Sequence, residues 1–593
     1  MSPTPASRIL LLGFLNLLAF PHFSAADIAN SGSNCRCLFG DSCWPSASEF
    51  SKLAKQVSQP LLNPLPPASP CYPLSRPSGD CDAAQRLWTD PAWRANQSGA
   101  MQSANFETFV FRNGTTSACF IDTTFGIPCG QGSVPVAGVD AHSDADIQAA
   151  IKFAAAHNLR VVVKGNGHDL SGRSTARGSF VIWTHHMKNI AFHAQFTPTG
   201  APKSEAVAQA ITLGAGIQWQ EAYDAVNIRN RVLVGGLSPG GTVGAAGGWV
   251  LGGGHSVLSP TFGLGVDNVL EFTMISSNGT RLTANAHRNT DLFFALRGGG
   301  GGTYGVVTSV TYQTHPNLPL ISAVFSATPN GTQTSGVLQT LLTDLMKALP
   351  GLSDAGWGGT AFLGADATGN VALSGSFVLF NGTMASANQS TSPFFSAVNR
   401  LASTGGNLTF TTSLIPFDSF QTWYTAMSAQ GANVAGTNGA LGSWLLPRDV
   451  IEKQPEHVAE TLLPLTGLVM GLYAGGAVAR VDPNAMGLNP AWRTTLLHTI
   501  FATGWVEGTP VDVIDSLVDQ VRQNMTNLRA LAPDSGAYFN EASLVEPDPL
   551  KAFFGDHRTT LKAIKRIYDP IDMFVVPEGI GSDDFDDALV CKV

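Results

Sequence analysis

Apolar residues in this chain recur on two periods, and the switches between them mark its elements. The β-branched run Arg160-Val161-Val162-Val163 reads as a strand, as do Val134-Pro135-Val136-Ala137, Phe180–Trp183 and Ala210–Leu213. Ser143 followed by Asp146 is a capped start for the apolar helix Ile147–His157, and Trp219–Asn227 is a second helix. Leu270–Ser276 with the turn Ser277-Asn278-Gly279-Thr280 predicts a hairpin, and Leu292–Leu296 a buried helix. Beyond residue 318 the helical runs Ser335–Leu349 and Val511–Leu531 alternate with the strand-like runs Leu373–Phe380 and His498–Trp505. Such mixing predicts an α+β fold, with an antiparallel sheet backed by helices in the second half. The glycines do not follow a Rossmann βαβ unit.

With 593 residues, 44% hydrophobic and 13% charged, the chain can bury a large core and divide into two or more domains. A net charge of -9 supplies no basic field for a polyphosphate backbone, which argues against nucleic acid and for a small-molecule partner. Arg8, the apolar run Ile9–Phe20 and the small residues Ser24-Ala25-Ala26 form the pattern of a secretory signal, too short to span a bilayer. No later stretch approaches ~18 uninterrupted apolar residues, so the expectation is a secreted or lumenal protein with no membrane partner. N-x-(S/T) sequons at Asn96, Asn113, Asn278, Asn330, Asn381, Asn388, Asn407 and Asn524 fit that route.

Seven of the eight cysteines precede residue 130, the last being Cys591, so either Cys591 pairs back to the front or one thiol is free. Disulfides suit an oxidising compartment, whereas Cys35-Arg-Cys37 lacks the partners for a tetrahedral metal set, and no metal is expected. Seven prolines between Pro60 and Pro77 predict an extended segment draped over the first domain.

The candidate chemistry lies in the glycine loops. The strand at Arg160 runs into Lys164-Gly165-Asn166-Gly167-His168-Asp169-Leu170-Ser171-Gly172, where two residues without Cβ let backbone approach a ligand and converge its N–H groups on an anion. Two further glycine-rich stretches, Gly235–His255 and Arg297–Gly305, suit a ligand as long as a dinucleotide.

Together these loops resemble the PCMH-type FAD-binding domain of the vanillyl-alcohol oxidase superfamily, in its berberine-bridge-enzyme-like branch. The first matches (R/K)-x-G-G-H-(S/D)-x-x-G with Asn166 where a glycine is usual. Gly247–His255 matches GG-x-x-x-GGG, Gly263–Val269 matches G-L-(A/G)-x-D-N-V, and Arg297–Thr308 matches R-G-G-G-x-x-(F/Y)-G-(I/V)-V-T. Gly536–Glu541 is similar to the family's Y-x-N-(Y/E) segment, and Phe553–Pro570 to its closing F-(Y/F)-G…L-x-x-I-K-x-x-Y-D-P signature. The overall pattern is most similar to the fungal FAD-linked oxidases, including isoamyl alcohol oxidase-like enzymes.

The expected order is signal (1–26) and Cys/Pro-rich extension (27–127), followed, as the resemblance implies, by a two-subdomain FAD-binding domain (128–317), substrate domain (318–531) and returning C-terminal segment (532–593). It implies FAD contacts from Lys164, Gly165, Asn166, Gly167, His168, Asp169, Ser171 and Gly172, then from Gly241, Thr242, Gly244, Gly247, Gly248, Gly252, Gly253 and Gly254, from Val306 and Val307, and from Asn540. It also implies a covalent bond from His168 to the flavin 8α-methyl. The second, cysteinyl bond of many relatives is not expected, because Leu237–Gly244 contains no cysteine. Small Val243 or Gly244 at the family's oxygen gate favours O2 as electron acceptor, with H2O2 as product.

Tyr538 or Glu541 is a candidate base for a substrate hydroxyl, or equally an inter-domain hydrogen-bonding group. His255 either faces the flavin or closes a turn. His185 and His186 read as structural or surface residues, and Asp267 and Asn268 as loop fixers. Trp423, Tyr424, Trp444, Tyr473, Trp492 and Trp505 line a pocket or fill the core. The expected activity is oxidation of an alcohol or a related C–H or C–N centre of a small organic molecule. The alternatives are a redox-neutral cyclase or tailoring enzyme using the flavoprotein fold as scaffold, and a flavin-bearing binding protein. Nothing in these residues sets the oligomeric state.

Overall fold

The computed structural model describes residues 34–330, 334–365, 369–404, 407–428, 435–465 and 467–593, so the expected secretory signal lies outside the described residues. Three sheets follow one another along the chain. The first is parallel: β1 (Ala137–Asp140), β2 (Val161–Lys164) and β3 (Phe180–Trp183), in the order β1-β3-β2. The strand expected at Val134–Ala137 begins only at Ala137. Pro135 has no N–H to give a ladder, and the Val134 N–H closes a turn onto the Gln131 carbonyl.

Helix α1 (Asp144–Ala156) starts ahead of its apolar run because its cap sets the start. The Asp146 carboxylate accepts from Ser143 Oγ at 2.8 Å and from the Ser58 N–H at 2.7 Å, so the same carboxylate fastens the N-terminal extension to the helix.

The second sheet is antiparallel: β4 (Ile190–Phe196), β5 (Val207–Gly214), β6 (Val269–Ile275), β7 (Arg281–Asn285) and β8 (Val306–Gln313), in the order β7-β6-β8-β5-β4. Its β6–β7 hairpin turns where the sequence places it, with the Ser276 N–H on the Thr280 carbonyl. Helices α2 (Trp219–Asn227) and α3 (Thr290–Leu296) also match their expected positions.

The third sheet has seven antiparallel strands: β9 (Leu320–Pro329), β10 (Trp357–Ala365), β11 (Val371–Phe380), β12 (Leu408–Phe417), β13 (Asn438–Pro447), β14 (Leu468–Leu472) and β15 (Thr495–Trp505). Their order is β12-β9-β11-β10-β14-β15-β13. Helices α4 (Thr334–Asp354), α5 (Met384–Ser403) and α6 (Val511–Leu531) pack on it. Helix α4 runs five residues past its expected end, through Pro350, and buries Leu352 in that last turn. The fold is thus α+β, and one contiguous core joins the second and third sheets.

Both chain ends return to the first two sheets. Leu62 in the proline-rich segment bridges to Gly138 of β1. In α7 (Arg558–Tyr568), the buried Lys565 ammonium donates to the Thr303 and Phe574 carbonyls and pairs with Asp569 at 2.7 Å. All eight cysteines are paired, as Cys37–Cys43, Cys71–Cys81, Cys119–Cys129 and Cys35–Cys591. The last resolves the odd cysteine at the front by joining the two ends of the described chain. No helix among the described residues is long and apolar enough to cross a membrane.

A crosslink between residues 556 apart removes much of the freedom of the unfolded chain. The double change Cys35→Ser with Cys591→Ser should therefore lower the calorimetric unfolding midpoint by several degrees; an unmoved midpoint would count against this role.

Candidate active site

The loop between β2 and β3 is built from behind. Lys164 closes β2 with a buried side chain whose ammonium donates to the carbonyls of Gln97 (2.9 Å), Ser98 (3.0 Å) and Ala100 in the extension. Burial, opposed by Glu107 and aided by Arg94, pushes its pKa down to about 7. Its charge is therefore spent on the extension and points away from the loop's open side. Gly167, at φ +73°, lies where a Cβ would be 3.0 Å from the Ala100 carbonyl oxygen, and a Cβ on Gly172 would strike the Phe106 ring. The Asp169 carboxylate accepts from the Ser171 and Ser174 N–H groups, which fixes the turn. Arg173, not singled out from the sequence, stacks over Phe539 at 3.6 Å and donates to the carbonyls of Phe539 and Pro577. The loop is thereby gripped by both ends of the chain.

Its front is open. A Cβ on Gly165 would meet nothing nearer than 3.9 Å, one on Gly247 nothing nearer than 3.8 Å, and one on Gly248 nothing within 4 Å. Gly244 faces the same space, with only Asn166 Nδ2 at 3.1 Å. Asn166 is buried and its Oδ1 lies 2.6 Å from His185 Nδ1, while its Nδ2 has no partner; Ser171 Oγ is likewise buried and unpaired. His185 thus has a structural role, as expected, but at the loop itself. His186 pairs with Asp140 at 2.8 Å, turned the other way. His168 Nε2 sits 2.6 Å from Thr242 Oγ1, and burial pushes its pKa down to about 4, so the imidazole is neutral at neutral pH.

Other glycines serve packing between protein groups. A Cβ on Gly241 would strike Gln220 and Tyr424, and Cβ atoms on Gly252, Gly253 and Gly254 would strike Asn540, Leu488 and Trp249. The Arg297–Gly305 stretch, expected to touch the ligand, is packed in the same way: Gly298 against Leu488, Gly300 against Phe539 and Gly305 against Met274. Val306 and Val307 are buried at the start of β8. Asp267 accepts from the Leu264 N–H and pairs with Arg493 at 2.8 Å, and Asn268 donates to the Phe262 and Leu264 carbonyls, so both fix their loop as expected.

Tyr538, Glu541 and His255 come together at the end of the second loop. His255 Nε2 lies 3.2 Å from both Glu541 carboxylate oxygens, and its ring stacks on Tyr473 at 4.2 Å and 8°. The Tyr538 hydroxyl accepts from Asn540 Nδ2 (2.7 Å) and the Gly254 N–H (3.3 Å), and Asn540 Nδ2 also donates to the Trp249 carbonyl. Burial would raise the Glu541 pKa, but His255 and then His498 outweigh it and hold the carboxyl below its ordinary range. Burial, reinforced by Glu541, pushes the Tyr538 phenol well up, so it stays protonated. His498, on β15, is the residue the sequence did not single out; only its place in an alternating strand could have signalled an inward side chain. Of the six aromatics, Trp423, Tyr424 and Trp444 are core, Tyr473 and Trp492 surround this cluster, and Trp505 lines a separate cavity of about 1380 Å³ behind Ser171 and Gly172.

Residues 135–285 match the family model described as an FAD binding domain. Over nearly its whole length the chain is similar to an FAD-linked oxidoreductase of Arthroderma benhamiae, 35% identical with 97% of this chain and 98% of the relative covered. It is 32% identical to the FAD-linked oxidoreductase patO of Aspergillus clavatus, with 95% of each covered. In structure it is similar to the VAO-type flavoprotein MtVAO713 from Myceliophthora thermophila C1, at a TM-score of 0.85 and 28% identity over 94% of this chain and 100% of that one.

The open glycines Gly165, Gly247 and Gly248, with Gly244 beside the unpaired Asn166 Nδ2, fit an FAD with a donor and room for its backbone-close approach. Gly165→Val would place methyl groups in that space. It should lower the 450 nm flavin absorbance per protein to a small fraction of the parent's, with the circular dichroism unchanged; full flavin content would show that the cradle lies elsewhere.

Proposed function

Because the chain belongs to the FAD-linked oxidoreductases of the vanillyl-alcohol oxidase superfamily, we propose that it is an oxidase of an alcohol or a related C–H or C–N centre in a small organic molecule, with O2 as acceptor and H2O2 as product. FAD held by the glycine loops would supply the two-electron acceptor for the hydride and the route of those electrons to O2. What the chain supplies is binding, orientation and handling of the proton.

His168 is the proposed covalent tether. A neutral imidazole on a loop fixed from behind, beside Thr242 of the second glycine loop, supports that role, and the absence of cysteine from Leu237–Gly244 leaves it as a single attachment. Gly165, Asn166 and Gly167 would hold the anionic part of the cofactor through backbone N–H groups.

The observation that carries the reading is the Glu541 carboxylate, held ionised beside His255 and within the same cluster as the Tyr538 hydroxyl. A base must be deprotonated and within reach of the proton it removes. Glu541 takes the hydroxyl proton of the substrate as its carbon loses hydride. Tyr538, already accepting two N–H groups, has its own O–H free to orient the substrate oxygen. His255 meets both carboxylate oxygens at 3.2 Å, and the stacked Tyr473 keeps the imidazole in plane.

The cellular route is proposed as secretion. Four disulfides suit an oxidising compartment, and the sequon asparagines are exposed except Asn524, which is half-buried.

Screening alcohols against the anaerobic holoenzyme should find substrates that bleach the flavin, with peroxide released on admitting air. Glu541→Gln should slow that bleaching by on the order of 10²–10⁴. Since the Glu541 pKa is depressed, the base is ionised above it and activity falls as pH drops through it. The acid limb should therefore lie below the ordinary carboxylate value of about 4.3. Substrate turnover without bleaching or peroxide would instead favour the redox-neutral reading.

A further inference from the structure

His498 has no use in the scheme above, yet its placement is unusual. On β15 it sits in register between Gly471 of β14 and Leu445 of β13, with its side chain fully buried. The ring is enclosed by His255 at 5.5 Å, Trp492 at 5.6 Å and Tyr538 at 5.7 Å between centroids. Neither ring nitrogen has a hydrogen-bond partner. Buried imidazoles nearly always make at least one such bond, so two unmade bonds mark a group waiting for a partner. A carboxylate stands close by: Glu541 Oε2 lies 3.7 Å from His498 Nδ1, just too long for a hydrogen bond.

Glu541 therefore stands between two imidazoles. His255 meets it from the more open side with a forked contact, 3.2 Å to each oxygen, which fixes neither oxygen strongly. His498 meets it from the sealed side. Among the described residues, the ion pairs of Glu541 are to these two histidines alone. Tyr473 and Tyr538, the other titratable groups facing the cluster, remain protonated phenols.

We propose that His498 is a positioning residue for Glu541: its Nδ1–H closes onto Oε2 from the buried side, pins the rotation of the carboxylate, and leaves the other oxygen directed at the substrate. This rests on the reading of Glu541 as the base. A neutral donor in this place stabilises the ionised carboxylate without adding a second charge to the site. The neutral state follows from the complete burial of the ring, which pushes its pKa down to about 3.

The test uses the purified holoenzyme and needs no substrate. In a pH-difference infrared titration, the carboxyl band lost in Glu541→Gln identifies Glu541 and its midpoint. His498→Leu, which fills the space without a donor, should raise that midpoint by about one unit. His498→Asn, whose amide nitrogen stands near the position of Nδ1, should restore most of the shift. Should His498→Leu not fold, His498→Gln, whose amide reaches the place of the far nitrogen, takes its part and should behave as the donor-free variant. An unmoved midpoint, or equal midpoints in the Leu (or Gln) and Asn variants, would overturn the proposal and leave His498 as packing. Full activity of Glu541→Gln on an identified substrate would sink the base assignment while leaving the infrared result to stand by itself.

Discussion

The seat behind the Lys164–Gly172 loop is the constraint on which the rest of the site depends. Lys164 gives its ammonium to three carbonyls of the extension, Gly167 and Gly172 let the extension press against the loop, and Arg173 holds it to Phe539 and Pro577. The Lys164 ammonium has a carbonyl for each of its three N–H groups, and Gly167 and Gly172 have no room for a Cβ, so neither kind of contact tolerates drift. The extension and the C-terminal segment, remote in sequence, are therefore structural parts of the cofactor site. The Cys35–Cys591 bond joins those same two regions.

A loop made rigid from behind can afford to be open in front. Gly165, Gly247 and Gly248 have nothing nearer than 3.8 Å to where a Cβ would stand, and Asn166 Nδ2, which faces Gly244, lacks a partner in the protein. The proton-handling groups are organised by the opposite principle. Glu541 is part-buried, its side chain 24% exposed, and the imidazoles beside it outweigh the desolvation and hold its pKa below the ordinary range. Tyr538 is fully buried beside that carboxylate, and burial and the Glu541 charge both push its phenol up, so it stays neutral. One acceptor and one donor are thus set side by side by environment alone.

Much of the scaffold was legible because local signals and tertiary structure agree. Trp219–Asn227 and Val511–Leu531 are helices over their expected spans, and the β6–β7 hairpin turns at its Asn-Gly. The misplaced first strand and the underestimated α4 both involve proline, whose missing N–H delays a ladder at Pro135 but is tolerated within α4 at Pro350. Glycine was the less faithful guide. Composition marks where backbone comes close to something, but not to what: Gly165 faces open space, whereas Gly298 and Gly300 face Leu488 and Phe539. Likewise His255, Tyr538 and Glu541 were visible through their motifs. His498 was not, since its role arises from pairing three strands of the third sheet and from a carboxylate 43 residues further on.

The account turns on His168 being the point at which the chain holds its flavin. Proteolysis of the acid-precipitated native protein, followed by separation of the peptides and reading of flavin fluorescence, addresses this most directly. The fluorescence should travel with the peptide containing Lys164–Gly172 and map by fragmentation to His168. Flavin recovered entirely in the acid supernatant, or carried by any other peptide, would contradict it.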